Sequence, residues 1–238
     1  MPNIYATNDG ASQLVNNTSW VSARSATEGN ASTFSNNEIL GNLSVGQRIM
    51  KTAGRGSMAW VIARSFFTFD TSGISVAPSS ATLKIYGFSS GTTDVIALKS
   101  DYMFHNGEAT TIPGNLDYDS IANAETPLGN SDGSGAGTFA STSVVEYSSE
   151  LSSWSTSGYN DITLNSDALS DMASLSTFKV AVINYDYDYL DIEPATNTNE
   201  RNGMYISYQS GTDKDPYIDY TAGTTAVAHN ANFFGSNF

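Results

Sequence analysis

The chain has no cysteine, two histidines, and ten basic residues against 24 acidic ones in 238 positions. Without cysteine, neither disulfides nor thiolate metal centres contribute. A formal net charge of −14 leaves too few clustered cations to neutralise a phosphate backbone, so nucleic acid is not an expected partner. His105 lies in a loop-like stretch and His229 near the C-terminus, neither beside a nucleophile motif. General acid-base chemistry therefore lacks its usual side chain. Paired carboxylates held a few ångströms apart cleave glycosides, but among 24 acids a pair is always at hand and nothing singles one out. No enzyme and no cofactor is expected. Apolar runs stay far below the roughly 20 residues of a membrane-spanning helix, so a membrane is not an expected partner. Met1–Gly10 has neither a basic nor an apolar segment of the kind a signal peptide carries, which points to assembly in a cytoplasm.

The chain offers short alternating runs set in Ser, Thr, Asn and Gly. Met58–Asp70 is the clearest strand. Ala81–Phe88 alternates, with Leu83, Ile85 and Gly87 on one side and Thr82, Lys84, Tyr86 and Phe88 on the other. Asp94–Lys99 is a third run, and β-branched and aromatic content makes the three read as a meander. Phe178–Leu190 reads as one long strand and Ile162–Leu164 as a short one. A final hairpin is expected over 203–220, around a polar loop that closes on Pro216. Asn165–Met172 carries the helical signal, with Ser166 as cap and Leu169 and Met172 as the buried face. Ser131–Gly137 reads as a mobile Gly/Ser loop. Many strands and few helices give an all-β class: a single jelly-roll-like antiparallel β-sandwich with irregular N- and C-terminal arms. Residues 1–57 form an N-terminal arm of short strands joining the sandwich, 58–221 the sandwich, and 222–238 a C-terminal arm.

Arg64–Ile74 followed by Ser80–Gly87 resembles the opening of the DNRLRE-type, carbohydrate-binding-module-like jelly rolls. Tyr159–Leu164 and Asp215–Tyr220 resemble that family's second half and last strand. Leu164–Leu169 and Val182–Leu190 are similar to structural proteins of tailed phages of marine bacteria. The likeness covers about 58–221. It departs before the closing strand, where Gln209, Ser210 and Gly211 replace an expected Ser-Arg-Glu element, so a role tied to that charged pair does not carry over. The resemblance implies a non-enzymatic virion structural protein, a capsid decoration or a tail fibre or adaptor component, assembled in the host cytoplasm. Its partners would be major capsid or tail proteins, with homo-oligomers allowed. The alternative is a carbohydrate-binding module that contacts host cell-surface glycans.

Several residues stand out as contact candidates. On a strand, Tyr185, Tyr187 and Tyr189 share one face and Asp186 and Asp188 the other. That offers a stacking platform for sugar rings, or a hard-cation (Ca2+) site from Asp186, Asp188 and Asp191 oxygens, although no EF-hand-type loop surrounds them. The plainer reading, and the favoured one, packs the tyrosines at the core edge and uses the aspartates to keep that edge soluble. Trp60 belongs in the core, whereas Trp20 and Trp154 sit among polar residues and suit a glycan or a protein partner. Phe233, Phe234 and Phe238 make the C-terminal arm either an assembly arm or a disordered tail.

Overall fold

The long apolar run Met58–Asp70 lies at the centre of the fold with both of its faces covered. The computed structural model describes residues 2–16, 18–33, 48–53, 58–101, 117–122, 132–207 and 211–224. One layer is built in the order β1 (Asn3–Asn16, through its first residues), β10 (Tyr217–Thr221), β5 (Ser80–Gly91) and β7 (Tyr159–Thr163). The other runs β2 (Ala31–Thr33), the remainder of β1, β4 (Met58–Asp70), β8 (Thr177–Asn184) and β6 (Val95–Lys99). β3 (Arg48–Ala53) pairs with the first half of β4, and β9 (Asn199–Met204) pairs with both β3 and the end of β5. Every one of these pairings is antiparallel, as expected for an all-β sandwich.

β1 belongs to both layers. Tyr5 faces Tyr217 in the first, and after a register shift between Ala6 and Asn8 the strand continues along β4 in the second. A register shift of this kind bends and twists a strand, which is what a layer change requires. Pairing therefore closes into a ring through β1, β10, β5, β9, β3 and β4.

The interior follows from the period-two pattern. Leu83 and Ile85 of β5, Ile162 of β7 and Ile218 of β10 meet Phe67 and Phe69 of β4, Val95 and Ala97 of β6, and Val180 and Val182 of β8. Fully burying side chains of this size stabilises the fold by about 1.5–3 kcal/mol each. α2 (Ser166–Ser174) closes one end with Ala168 and Met172. Its first turn is capped by Asn165 rather than Ser166: the Asn165 side chain accepts the N–H groups of Asp167 and Ala168, each at 3.1 Å. Leu169 is only partly buried, so Ala168 takes the inward place expected for it.

The opposite face of β4 is covered as well. Phe66 packs with Ile96, Leu98, Ala181 and Ile183 beneath Ile121, Phe139 and Tyr189. Ile62 and Trp60 pack with Leu14, Ile49 and Tyr118 beneath Trp20 and Ala23 of α1 (Trp20–Arg24). Double coverage is why β4 reads as a nearly continuous apolar run.

Three expectations about connectivity are corrected. β4, β5 and β6 do not form a meander, because β5 lies in one layer while β4 and β6 flank β8 in the other. Residues 203–220 do not form a hairpin, since β9 and β10 both pair with β5 and not with each other. The strand expected over Phe178–Leu190 stops at Asn184. Within 1–57 the structure has the 14-residue β1 followed by the short β2 and β3, all paired into the sheets.

Candidate functional site

The outward phase of the β10–β5–β7 layer is aromatic. β5 sends Leu83 and Ile85 inward and therefore Tyr86 and Phe88 outward. Tyr159 of β7 lies opposite Tyr86, and Tyr5 of β1 lies opposite Tyr217 of β10. Tyr205, just past β9, donates its N–H to the Tyr86 carbonyl at 2.9 Å. Six rings stand in file. Phe88 is 4.8 Å from Tyr205, Tyr205 5.6 Å from Tyr86, and Tyr86 5.1 Å from Tyr159, centroid to centroid. Tyr159 is 5.1 Å from Tyr217, which is 5.5 Å from Tyr5. Tyr5 is 42 % exposed and the other five are half-buried. An aromatic file outside the interior is an apolar strip with polar hydroxyl tips.

The loop ahead of β10 shapes this face. Lys214 places its Nζ 4.6 Å from the Tyr205 ring centroid and 5.5 Å from that of Tyr86. The Tyr159 hydroxyl donates to the Asp213 and Asp215 carbonyls at 3.1 and 3.2 Å, and the Tyr86 hydroxyl donates to the Ser157 carbonyl at 2.8 Å. Burial, then the neighbouring Tyr217 and Tyr5, push the Tyr159 hydroxyl up to about 12. Tyr86 and Tyr159 are thus held by their own hydroxyls. Lys84, on the same face, is neutralised by Asp161 at 2.6 Å.

A second polar centre lies inside, beneath α1. Arg64, on the outer phase of β4 between Ile62 and Phe66, grips both oxygens of Asp188 at 2.7 and 2.8 Å. Arg24 of α1 lies 3.5 Å from Asp188 and 3.4 Å from Asp191. All four side chains are fully buried. Two positive and two negative charges make the centre neutral, and the geometry of the Arg64 fork is the bidentate kind. Burial works most strongly against the Arg64 charge, yet Asp188, with Tyr118 and Asp119, together offset it and the pKa is raised. For Arg24 burial wins and the pKa is lowered, despite Asp188 and Asp191. Asp191 is clamped further by Trp20 Nε1 at 3.1 Å and by the N–H groups of Asp132, Gly133 and Gly137 at 2.9–3.3 Å. Its φ of +54° is a left-handed conformation that aspartate tolerates better than most residues. The Gly/Ser loop, read as mobile from the sequence, is therefore folded around a carboxylate over Asp132–Gly137.

The sequence-derived candidates fall in other places. Trp20 is 2 % exposed and serves Asp191, so it is no contact surface. Trp154 is half-buried, donates Nε1 to the Gly203 carbonyl at 3.1 Å, and covers Gly87 and Gly91 of β5. Tyr185, Tyr187 and Tyr189 do not alternate on a strand. Asn184 accepts the N–H groups of Tyr187 and Asp188, and the chain coils into a single wide turn over Tyr185–Tyr189. Tyr185 and Tyr189 then stack at 5.1 Å, Tyr189 is buried with its hydroxyl on Glu146, and Tyr187 is half-buried near Glu200. The tyrosines pack, as the plainer reading held, but Asp188 and Asp191 are buried and do not keep an edge soluble. Asp188 and Asp191 face arginines, while Asp186 accepts Thr93 Oγ1 and the Asp94 N–H, so the three do not meet as a calcium site. Among the described residues no three Asp, Glu, His or Cys side chains form a metal-binding group. Phe233, Phe234, Phe238, His105 and His229 lie outside the described residues.

Sequence reasoning missed the aromatic file, although half its signal was visible in the outward phase of Ala81–Phe88. Tyr5, Tyr205 and Tyr217 needed the pairing of β1, β9 and β10 with one another's neighbours. It missed Arg24 and Arg64 too; a charge inside the largely apolar run Met58–Asp70 was the clue to a buried ion pair. No protein-family model matches this sequence, and no curated protein matches it either.

Proposed function

We propose that this chain is a non-enzymatic binding module that contacts glycans through the outer file of aromatic rings. The observation that carries this reading is the file itself: six rings in successive contact, outside the apolar interior and partly exposed. The C–H faces of a sugar ring pack on aromatic faces, and tyrosine hydroxyls and nearby carbonyls meet the sugar hydroxyls. A rigid strip presents such contacts with little entropy left to lose. The setting we propose is a phage virion, with the protein as capsid decoration or as a tail fibre or adaptor component turned toward the host surface. That setting rests on the resemblance of the sequence segments named above. A virion protein displaying a glycan-contacting face would serve host attachment.

Cross-strand aromatic pairs also stabilise a sheet by themselves, so the test must separate binding from folding. Binding to a panel of bacterial surface polysaccharides is measured for the native chain and for Tyr86→Ala and Tyr205→Ala. Each substitution is expected to weaken binding roughly tenfold, about 1.4 kcal/mol, in protein that still unfolds cooperatively. Folded protein that binds no glycan, or binding indifferent to both substitutions, overturns the reading.

A further inference from the structure

Asn184 ends β8, opposite Val95 at the start of β6, and is fully buried. Its amide is held at both ends. The amide oxygen accepts the Tyr187 N–H at 2.7 Å and the Asp188 N–H at 3.3 Å. The amide nitrogen lies against Thr93 Oγ1. Thr93 is 6 % exposed, and its hydroxyl donates to Asp186 Oδ2 at 3.0 Å. The Asp94 N–H holds the same Asp186 oxygen at 3.2 Å. Asn202 fixes Thr93 through its backbone: its Nδ2 donates to the Thr93 carbonyl at 2.7 Å, and its Oδ1 accepts the Thr93 N–H at 3.3 Å.

A hydroxyl bonded to a carboxylate, and touching an amide whose oxygen is gripped by two N–H donors, is equipped for acyl transfer. We propose that Thr93 and Asn184 are a self-modification site, at which the chain closes an ester bond between the two side chains. Asp186 takes the Thr93 proton as Oγ1 attacks Asn184 Cγ. The Tyr187 and Asp188 N–H groups steady the negative charge that develops on Oδ1. The Cγ–Nδ2 bond then breaks, Asp186 returns the proton to the leaving nitrogen, and ammonia departs. One C–O bond replaces one C–N bond, and no oxidant, reductant or further reactant takes part. Oγ1 already touches the nitrogen bonded to Cγ, so a shift out of the amide plane is what separates contact from attack. Burial keeps water from competing as the nucleophile and from hydrolysing the product. The ester retains the Oδ1 carbonyl, so the turn over Tyr185–Tyr189 stays capped. The bond joins the entry of β6 to the exit of β8, a covalent staple in a chain without cysteine. The site does not depend on the glycan reading, and its test does not use a glycan.

Purified protein, incubated until its mass is constant, is weighed intact by mass spectrometry under denaturing conditions. The expected mass is that of the unmodified chain less one ammonia. Tryptic digestion should then yield peptides 85–99 and 180–201, which carry Thr93 and Asn184, joined to each other. Hydroxylamine should part them. Thr93→Ser should still lose ammonia, whereas Thr93→Val and Asp186→Asn should keep the full mass over the same period. Folded native protein at its full unmodified mass overturns the proposal. So does an ammonia loss that survives Thr93→Val with the two peptides separate, because closure of Asn184 onto the Tyr185 backbone nitrogen sheds the same molecule.

Discussion

Replacing Asp188 by alanine should be among the most damaging single substitutions available in this chain. The change leaves the guanidiniums of Arg64 and Arg24 buried without the carboxylate that both contact, because all four side chains are shielded from water. Breaking a buried pair by removing one partner costs about 3–5 kcal/mol. For a chain of this size that corresponds to a fall in Tm of roughly 6–20 °C. Urea unfolding followed by tryptophan fluorescence suits the measurement, since the Trp20 indole donates to Asp191 and reports on the same centre. The control is the double replacement Arg64→Met with Asp188→Leu, which removes one charge of each sign and leaves Arg24 balanced by Asp191. It strands the Tyr118 and Arg24 carbonyls that Arg64 now serves, so a loss of about 2 kcal/mol is expected, smaller than that of the alanine variant. If Asp188→Ala costs under about 1 kcal/mol, or the double variant is the less stable of the two, the uncompensated-charge argument is wrong.

Two further outcomes test how the frame is held. Gly87→Ala would set a Cβ 2.0 Å from the Ser155 carbonyl and 2.7 Å from Trp154 Nε1. The Trp154 crossing must then lift off β5, at about 1–3 kcal/mol, measurable as a lower urea midpoint; an unchanged midpoint refutes the close approach. Asn165→Ala removes the cap from two N–H groups of α2 and should cost about 1 kcal/mol. Asn165→Asp should recover most of that in the same denaturation assay, and failure to do so would show that the cap is not what the side chain contributes.

The legible parts of the fold are those whose burial is one-sided or complete. Met58–Asp70 forms as read because coverage on both faces left it almost wholly apolar. Ala81–Phe88 forms as read because only one of its faces is interior. β1 escaped notice because glycine, serine and aspartate interrupt its apolar residues just where it changes layer. Tyr185–Tyr189 misled because alternating Tyr and Asp fits a strand, yet a single Asn184 side chain offers the backbone a better bond and turns it. The all-β class needed only local pattern. The aromatic file and the Arg–Asp centre needed contacts between residues more than a hundred positions apart, such as Arg64 with Asp188 and Tyr5 with Tyr217.

The side-by-side placement of β1 and β10 also decides how the molecule answers to force. Asn3 lies across from Asp219, so the outer tip of each strand emerges at the same edge. Tension drawing those tips apart would load the hydrogen bonds one after another, like a zip, instead of sharing the strain along the ladder. A tether at these two points would therefore let go early, whereas a pull that grips β4, bonded along both edges, would meet far greater resistance.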